Sequence, residues 1–190
     1  MKQLYALAVL IITAAVLPSV SDAQAGPDKL VFIVRHAEKA NATDPDVSLS
    51  DAGRARARAL EAALRDASVT DVLVTPRKRT HETASAVVAA RQLTAHVVPF
   101  GANTAEHAAL VAAAVRAATG RSVLVVGHSN TVTHIIAALG GPRLPELCDP
   151  QYAGLYIMRV PVDGAPTLIR AQYGAADPPD AANCAANSMR

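Results

Sequence analysis

Four short runs of aliphatic and β-branched residues, separated by segments with helical periodicity, constrain the fold of this 190-residue chain most strongly. The runs span residues 29–36, 71–75, 95–99 and 122–127. A strand that is apolar along its whole length is typical of a parallel sheet, because both of its faces are buried there. The runs therefore predict the strands of a sheet that is covered on both sides.

The intervening segments predict the helices that cover this sheet. Their apolar residues recur at helical spacing, Ser50 suits the N-cap of the first helix, and Gly120 ends the third. The predicted helices span residues 52–67, 77–92, 104–118 and 131–139. Two later runs, 154–160 and 167–173, predict a hairpin-like strand pair. The alternation predicts an α/β fold: a three-layer sandwich with a mostly parallel central sheet flanked by helices.

The first 25 residues have the features of a secretory signal peptide. Lys2 provides a positive start, residues 4–17 form an uncharged apolar stretch, and small residues follow at 21–25. The apolar stretch is shorter than the roughly 20 residues that a transmembrane helix needs. We therefore expect residues 26–190 to form a single domain that is periplasmic or secreted, with no stable membrane anchor after cleavage.

Export makes the two cysteines, Cys148 and Cys184, candidates for one disulfide. Such a bridge would close a loop of about 36 residues and stabilise the fold by about 4 kcal/mol if it acts through chain entropy. Two unpaired thiols are the alternative. No metal site is expected at either position, because neither cysteine has a cysteine or histidine neighbour at ligand spacing.

The composition argues against a nucleic acid as the partner. The formal net charge is +2 and aromatic residues make up 3% of the chain. Proteins that bind nucleic acids usually have a basic face, and those that hold single strands stack the bases on aromatic side chains. The sequence leaves the oligomeric state unknown.

Charged and polar residues follow three of the predicted strands at their carboxyl ends. Arg35 and His36 end the first strand, residues 77–79 (RKR) follow the second, and His128 follows the fourth. Ligands of open parallel sheets gather at this edge, where the loops converge. Clustered positive charges repel one another unless an anion lies between them. A tetrahedral phosphate suits such a cluster, because arginine forks match its oxygens.

Four segments resemble motifs of the histidine phosphatase (phosphoglycerate mutase-like) superfamily and follow the family's order. Residues 31–38 (VFIVRHAE) resemble its RHG or RHA signature, and residues 49–53 (LSDAG) are similar to its L-S/T-x-x-G helix start. Residues 75–84 (TPRKRTHETA) resemble its S-P-x-x-R-x-x-Q-T-A segment, and residues 126–130 (VGHSN) resemble its second-histidine segment. The resemblance points to a compact bacterial exported member of the family.

The resemblance implies a role for each matching residue. His36 would attack phosphorus and form a phosphohistidine that water then hydrolyses. Arg35, Arg79 and His128 would hold the non-bridging oxygens, on which the charge of the transferring group lies. Asn130 would bind phosphate at the start of the next helix. The substrate would be a small phosphorylated compound, and no metal or other cofactor is needed, because these side chains supply the positive charge.

The general acid that protonates the leaving group is left open. Glu106 lies beyond the third strand, where mutase-like members have a glutamate, but it also suits an ordinary carboxylate in the first turn of a helix. Glu38, two residues after His36, is the second candidate. Some compact members lack an acid and act on leaving groups that need little protonation, such as protein phosphohistidine.

These features predict an exported phosphatase that hydrolyses phosphomonoesters through a phosphohistidine on His36. The alternatives are a phosphate-binding module with little turnover and a phosphohistidine-directed protein phosphatase. Mutase activity fits less well, because the short loop at 37–48 leaves little material to hold a phosphorylated product. No role is assigned to the histidines His81, His96, His107 and His134, or to Arg54, Arg56 and Arg58, which are interpreted as the solvated face of a helix.

Overall fold

The computed structural model describes residues 28–179 and residue 181, in which strands and helices alternate along the chain. The strands are β1 (Lys29–Arg35), β2 (Asp71–Val74), β3 (Ala95–Val97), β4 (Ser122–Gly127), β5 (Gly154–Val160) and β6 (Thr167–Gln172). The helices are α1 (Asp51–Ala63), α2 (Lys78–Arg91), α3 (Thr104–Ala117) and α4 (Val132–Ala138). Nine of these ten elements lie within the segment that the sequence predicts for them, and α1 begins one residue before its predicted segment, at Asp51.

The largest difference from prediction is the end of the first helix. The apolar pattern continues to Ala67, but α1 ends at Ala63. The chain then turns through Ser68, whose φ of 46° lies in the left-handed region, and enters β2. Beyond the end of the helix, Leu64 still packs inward, because it is buried in the core that also contains Leu60 of α1. Hydrophobic periodicity alone therefore predicts a helix that includes residues 64–67, which form a turn in the structure.

The six strands form one sheet in the order β3-β2-β4-β1-β5-β6. The pairs β3–β2, β2–β4 and β4–β1 are parallel, whereas β5 is antiparallel to both β1 and β6. Five of the six strands consequently run in the same direction, and the predicted mostly parallel sheet is confirmed. Because β2, β4 and β1 are neighbours, their carboxyl ends lie together at one edge.

The two faces of the sheet bury separate cores. On one face, Val31 and Ile33 of β1 pack with residues of α3 and α4. On the other face, Phe32 and Val34 pack with residues of α1 and α2. Successive side chains of a strand point to opposite faces, so a strand between two helical layers needs apolar residues at every position. The predicted three-layer sandwich is confirmed.

Two predictions fall on residues outside the described part of the chain. The signal peptide at 1–25 lies outside it, and so does Cys184, one end of the predicted disulfide. Cys148 is described, and its side chain is 6% exposed. Within residues 28–179, no helix combines the length and the apolar character that crossing a membrane requires.

Gly53, in the first turn of α1, packs against the segment that follows β1. Ser50 caps the helix by accepting a hydrogen bond from the Gly53 N–H (3.1 Å), and its own N–H donates to the Glu38 carbonyl (2.9 Å). A Cβ atom at position 53 would overlap that Glu38 carbonyl oxygen. Glycine therefore lets the helix start directly against the chain that follows His36.

Gly53→Ala is expected to destabilise the fold by about 1–3 kcal/mol, because backbone must shift to relieve the overlap. An alanine elsewhere in a helix ordinarily stabilises relative to glycine by about 0.4–1 kcal/mol, so the sign is diagnostic. Ala55→Ser, at an exposed position of α1, is the control and should change stability by less than about 0.5 kcal/mol. Urea unfolding of the three proteins checks this, and a Gly53→Ala variant as stable as the parent contradicts it.

Candidate active site

The parallel pairing of β1 with β4 brings two histidines together. Arg35 lies opposite Gly127 in the register, and the His36 N–H donates to the Gly127 carbonyl (2.9 Å). His36 and His128 are the residues that come directly after this pair in the two segments. Their ring centroids lie 5.3 Å apart, and the ring planes are inclined by 63°. Their exposed fractions are 4% and 7%. The two histidines, which follow different strands of the sheet, thus lie in one buried crevice.

The hydrogen bond of the His36 ring fixes which nitrogen has the proton. His36 Nδ1 lies 2.8 Å from the Ala37 carbonyl oxygen, and a carbonyl can only accept. Nδ1 therefore bears the hydrogen in the neutral ring, and Nε2 keeps its lone pair. Burial, followed by the charges of His128 and Arg35, holds the pKa of His36 well below its ordinary value of 6.5. At neutral pH the ring is an uncharged base.

His128 is neutral for similar reasons. Its Nδ1 lies 3.3 Å from an Arg79 terminal nitrogen, which can only donate, and its Nε2 lies 3.0 Å from Thr75 Oγ1. Nδ1 is therefore the acceptor, and Nε2–H donates to the threonine. Burial and the Arg79 guanidinium lower the pKa of His128 to about 3. In this arrangement Thr75 orients the ring, and the ring in turn orients Arg79.

The Arg35 guanidinium is held by a segment that sequence reasoning did not single out, residues 148–152. One terminal nitrogen donates to the carbonyls of Cys148, Asp149 and Gln151 at 2.7–3.1 Å. The other donates to Asp149 Oδ1 (3.0 Å) and to the Tyr152 hydroxyl (3.2 Å). The Tyr152 ring also lies 4.0 Å from the guanidinium carbon. Both terminal nitrogens are thus bound to protein atoms.

The buried Nε atoms of Arg35 and Arg79 have no hydrogen-bond partner among the described residues. Arg79 otherwise donates to the Pro45 carbonyl (2.9 Å) and to His128. A buried donor without a partner is unfavourable, and such groups in a native fold often mark the place of a water or an ion. Two orphan donors on neighbouring cationic side chains favour an anion.

A cavity of about 210 Å³ lies at this edge of the sheet. The predicted residues Arg35, His36, Arg79, His128 and Asn130 all line it. Lys39 and Asp44, from the loop after β1, also line it and were not predicted. With three permanent cations against one carboxylate, the cavity attracts a small anion. We call it the oxyanion cavity.

Neither predicted general acid lines the oxyanion cavity. Glu106 Oε2 accepts from the Ala102 N–H (2.7 Å), and the Glu106 N–H donates to Asn103 Oδ1 (2.9 Å). Asn103 is thus the N-cap of α3, and the Glu106 carboxylate lies in the first helical turn, where it binds the residue before the cap. The structure therefore places Glu106 in the ordinary first-turn arrangement that was weighed against the catalytic one.

Glu38 is bound to an arginine that the sequence analysis placed wrongly. Arg56 was predicted to lie on a solvated face, but its side chain is only 5% exposed. It donates from two nitrogens to Glu38 Oε1 (2.9 and 2.8 Å) and from the third to the Tyr173 carbonyl (3.0 Å). The ion pair ties α1 to the segment after β1 and to the chain after β6. Helical spacing alone could not show that α1 turns Arg56 inward.

The described residues offer no group of three or more histidine, cysteine, aspartate or glutamate side chains placed to hold a metal ion. The positive charge of the oxyanion cavity comes instead from Arg35, Arg79 and Lys39.

Residues 31–100 match the profile of the histidine phosphatase superfamily (branch 1). The fold is similar to that of the protein histidine phosphatase SixA, solved with tungstate: the TM-score is 0.60 at 22% identity over 75% of this chain and 96% of that one. The fold is also similar to that of a mycobacterial glucosyl-3-phosphoglycerate phosphatase, with a TM-score of 0.58 at 15% identity over 78% of this chain and 100% of that one. For Rv3214 of Mycobacterium tuberculosis, the TM-score is 0.57 at 19% identity over 74% of this chain and 95% of that one. No curated protein sequence matches the chain.

The matched residues 31–100 include Arg35, His36 and Arg79, which the fold brings to one cavity with His128 from outside the match. The similar solved structures are 15–22% identical to this chain and bear on the fold alone. The profile match, the shared fold and the arrangement of these four side chains agree. Residues 31–100 thus match the histidine phosphatase superfamily, and the described fold is similar to that of solved phosphatases.

Proposed function

We propose that this chain is an exported phosphatase that hydrolyses phosphomonoesters through a covalent phosphohistidine on His36. The observation that supports this most is the state of the His36 ring. Its Nδ1–H is committed to the Ala37 carbonyl, so Nε2 has a free lone pair in a residue that lines the oxyanion cavity. A neutral imidazole nitrogen of this kind is a nucleophile at neutral pH.

The reaction has two displacements at phosphorus. In the first, His36 Nε2 forms a bond to phosphorus while the bond to the ester oxygen breaks, and that oxygen leaves with the electron pair and takes up a proton. In the second, a water oxygen attacks phosphorus, loses a proton and releases the nitrogen. The products are the alcohol or phenol and inorganic phosphate. Two steps through a covalent intermediate are each easier than one direct hydrolysis.

The cations around the oxyanion cavity suit the charge of the transferring group. In phosphoryl transfer, charge is spread over three equatorial oxygens, and fixed donors aimed at them lower the barrier. Arg79 is oriented by His128 and by the Pro45 carbonyl, and Arg35 is held by the 148–152 segment. Donors that are already oriented need little rearrangement when the anion binds. Asn130 would add a neutral polar contact to the phosphate.

The exported location is proposed on residues 1–25 alone. Substrates outside the cytoplasm, such as envelope or nutrient-derived phosphate esters, would then be accessible. The partner of the enzyme would be a small phosphorylated compound.

A second candidate function is the dephosphorylation of protein phosphohistidine. It is favoured by the positions of Glu106 and Glu38, which bind the Ala102 N–H and Arg56 instead of lining the oxyanion cavity. Without a positioned acid, a leaving group that needs little protonation is the better substrate. The similar fold of a protein histidine phosphatase, SixA, supports the same candidate.

His36→Ala is expected to abolish phosphomonoester turnover, because the variant lacks the nucleophile. It should also abolish the transfer of label from a ³²P-ester to the protein in a quenched reaction. His96→Ala is the matched control, since His96 is an exposed histidine on the edge strand β3 and should leave both readouts unchanged. Undiminished turnover in His36→Ala contradicts the proposal, and a parent protein that binds phosphate but turns over no ester supports the phosphate-binding module instead.

Aryl phosphates are expected to be hydrolysed at least about 100-fold faster than alkyl phosphates, the usual contribution of a general acid. Glu106→Gln should leave both rates unchanged, because the glutamine oxygen still accepts from Ala102 and the residue caps a helix. Steady-state kcat/KM for 4-nitrophenyl phosphate and glycerol phosphate measures this. A selective loss of alkyl turnover in Glu106→Gln would instead identify that carboxyl as the acid.

A further inference from the structure

A second cavity, of about 380 Å³, adjoins the oxyanion cavity. The two share Arg79, His128 and Asn130 as lining residues, so the second cavity lies next to the place where the phosphate would bind. The remaining walls come from the start of α2, the loop between β3 and α3, and α3 itself. None of the residues that line this second cavity is an aspartate or a glutamate.

Phe100 gives this cavity an aromatic wall. Its side chain is 44% exposed. The ring centroid lies 5.9 Å from that of His128 and 5.5 Å from that of His107. These distances are within the range in which aromatic rings attract one another. The exposed part of the ring is therefore available to a planar group bound next to the phosphate.

Arg77 gives the same cavity an uncompensated charge. Its guanidinium carbon lies 5.6 Å from the centre of the Phe100 ring, and the side chain is half-buried. The guanidinium makes no hydrogen bond or ion pair with another described residue. A cation that is partly desolvated and lacks an acidic partner favours a bound anion. This charge is additional to those that face the phosphate.

His107 adds an unsatisfied polar atom. Its side chain is 2% exposed, and its Nδ1 lies 3.0 Å from the Pro99 carbonyl, to which it must donate. Its Nε2 is then an acceptor in the neutral ring, and it is buried with no partner among the described residues. The His107 ring lines the cavity beside Phe100, so an aromatic wall and a cation without an acidic partner meet in one cavity.

We propose that this second cavity is the leaving-group site and that it selects phosphomonoesters of a planar aromatic group with an anionic substituent. The ring would stack on Phe100, and the substituent would pair with Arg77. The proposal rests on the proposed function, because it assumes that the phosphate lies in the oxyanion cavity. It adds the identity of the preferred leaving group, which the catalytic residues do not determine.

Non-hydrolysable phosphonates test the site without any contribution from leaving-group chemistry. The dissociation constants of benzylphosphonate, cyclohexylmethylphosphonate and 4-carboxybenzylphosphonate are measured on the purified protein by titration calorimetry. Benzylphosphonate is expected to bind about 3- to 10-fold more tightly than the cyclohexyl compound, the usual advantage of an aromatic pair. The carboxylate is expected to tighten binding by about a further tenfold through a charge-assisted pair.

Two variants assign these preferences to their residues. Arg77→Gln should remove the advantage of the carboxylate and keep the aromatic preference, whereas Phe100→Leu should do the reverse, because leucine keeps apolar volume without a ring. Lys78→Gln is the matched control, since Lys78 is the exposed neighbouring cation, and it should preserve both ratios.

Equal affinity for the three phosphonates, or a Lys78→Gln variant that behaves like Arg77→Gln, overturns the leaving-group site. If only the proposed function is wrong, the ratios of the phosphonate dissociation constants persist, but no phosphate ester is hydrolysed. Hydrolysis of esters with equal phosphonate affinities overturns only the selectivity proposed here. If no phosphonate binds, the leaving-group site is wrong, and the hydrolysis of phosphate esters by the same protein decides the proposed function separately.

Discussion

The parallel pairing of β1 with β4 determines whether the site exists at all. The register sets Arg35 opposite Gly127, and the next residue of each strand is a histidine. Because side chains alternate between the faces of a sheet, a slip of one residue would exchange the two cores and separate the rings. The apolar side chains of β1, buried on both faces, oppose such a slip. The same packing that stabilises the sandwich therefore also positions the two imidazoles.

A cluster of cations at a strand end is unfavourable unless the protein compensates it, and the structure does so in two ways. Arg35 is compensated internally, by three carbonyl groups and the Asp149 carboxylate. The two histidines respond by remaining neutral, since protonation would add buried charge beside the arginines. What is left is an excess of positive charge at one small cavity, together with an uncharged ring nitrogen. That combination suits the proposed binding of an oxyanion and the proposed attack on its phosphorus.

Much of this could be predicted from the sequence, because the relevant signals are local. Continuous apolar runs indicate buried strands, and the residues that follow those strands must lie at the carboxyl edge. Arg35, His36 and His128 line the same cavity for that reason, whereas Arg79 was distinguished from its neighbours Arg77 and Lys78 only by the resemblance to the family motif. The motif glycine Gly53 likewise has a local cause, the close approach of the Glu38 carbonyl.

The parts that could not be predicted depend on contacts between distant segments. Asp149 and Tyr152 bind Arg35 across more than 110 positions of the chain, and neither follows a strand or belongs to a recognised motif. The inward orientation of Arg56 depends on Glu38 and on the chain after β6. The second cavity, which is proposed as the leaving-group site, forms only when Arg77 and Phe100, from different loops, come together. The spacing of residues along the sequence does not indicate such pairings.

The central claim, that one anion binds in the cavity that both imidazoles line, is tested most directly by NMR of the ring nitrogens of His36 and His128 during a tungstate titration. In the free protein, His128 should stay neutral as the pH falls from about 7 to about 5, because burial and the Arg79 charge lower its pKa to about 3, and burial should make His36 protonate at a lower pH than an ordinary histidine. Tungstate should then shift both sets of signals with a single dissociation constant. Signals that respond with different affinities, or a response of only one ring, would contradict the account.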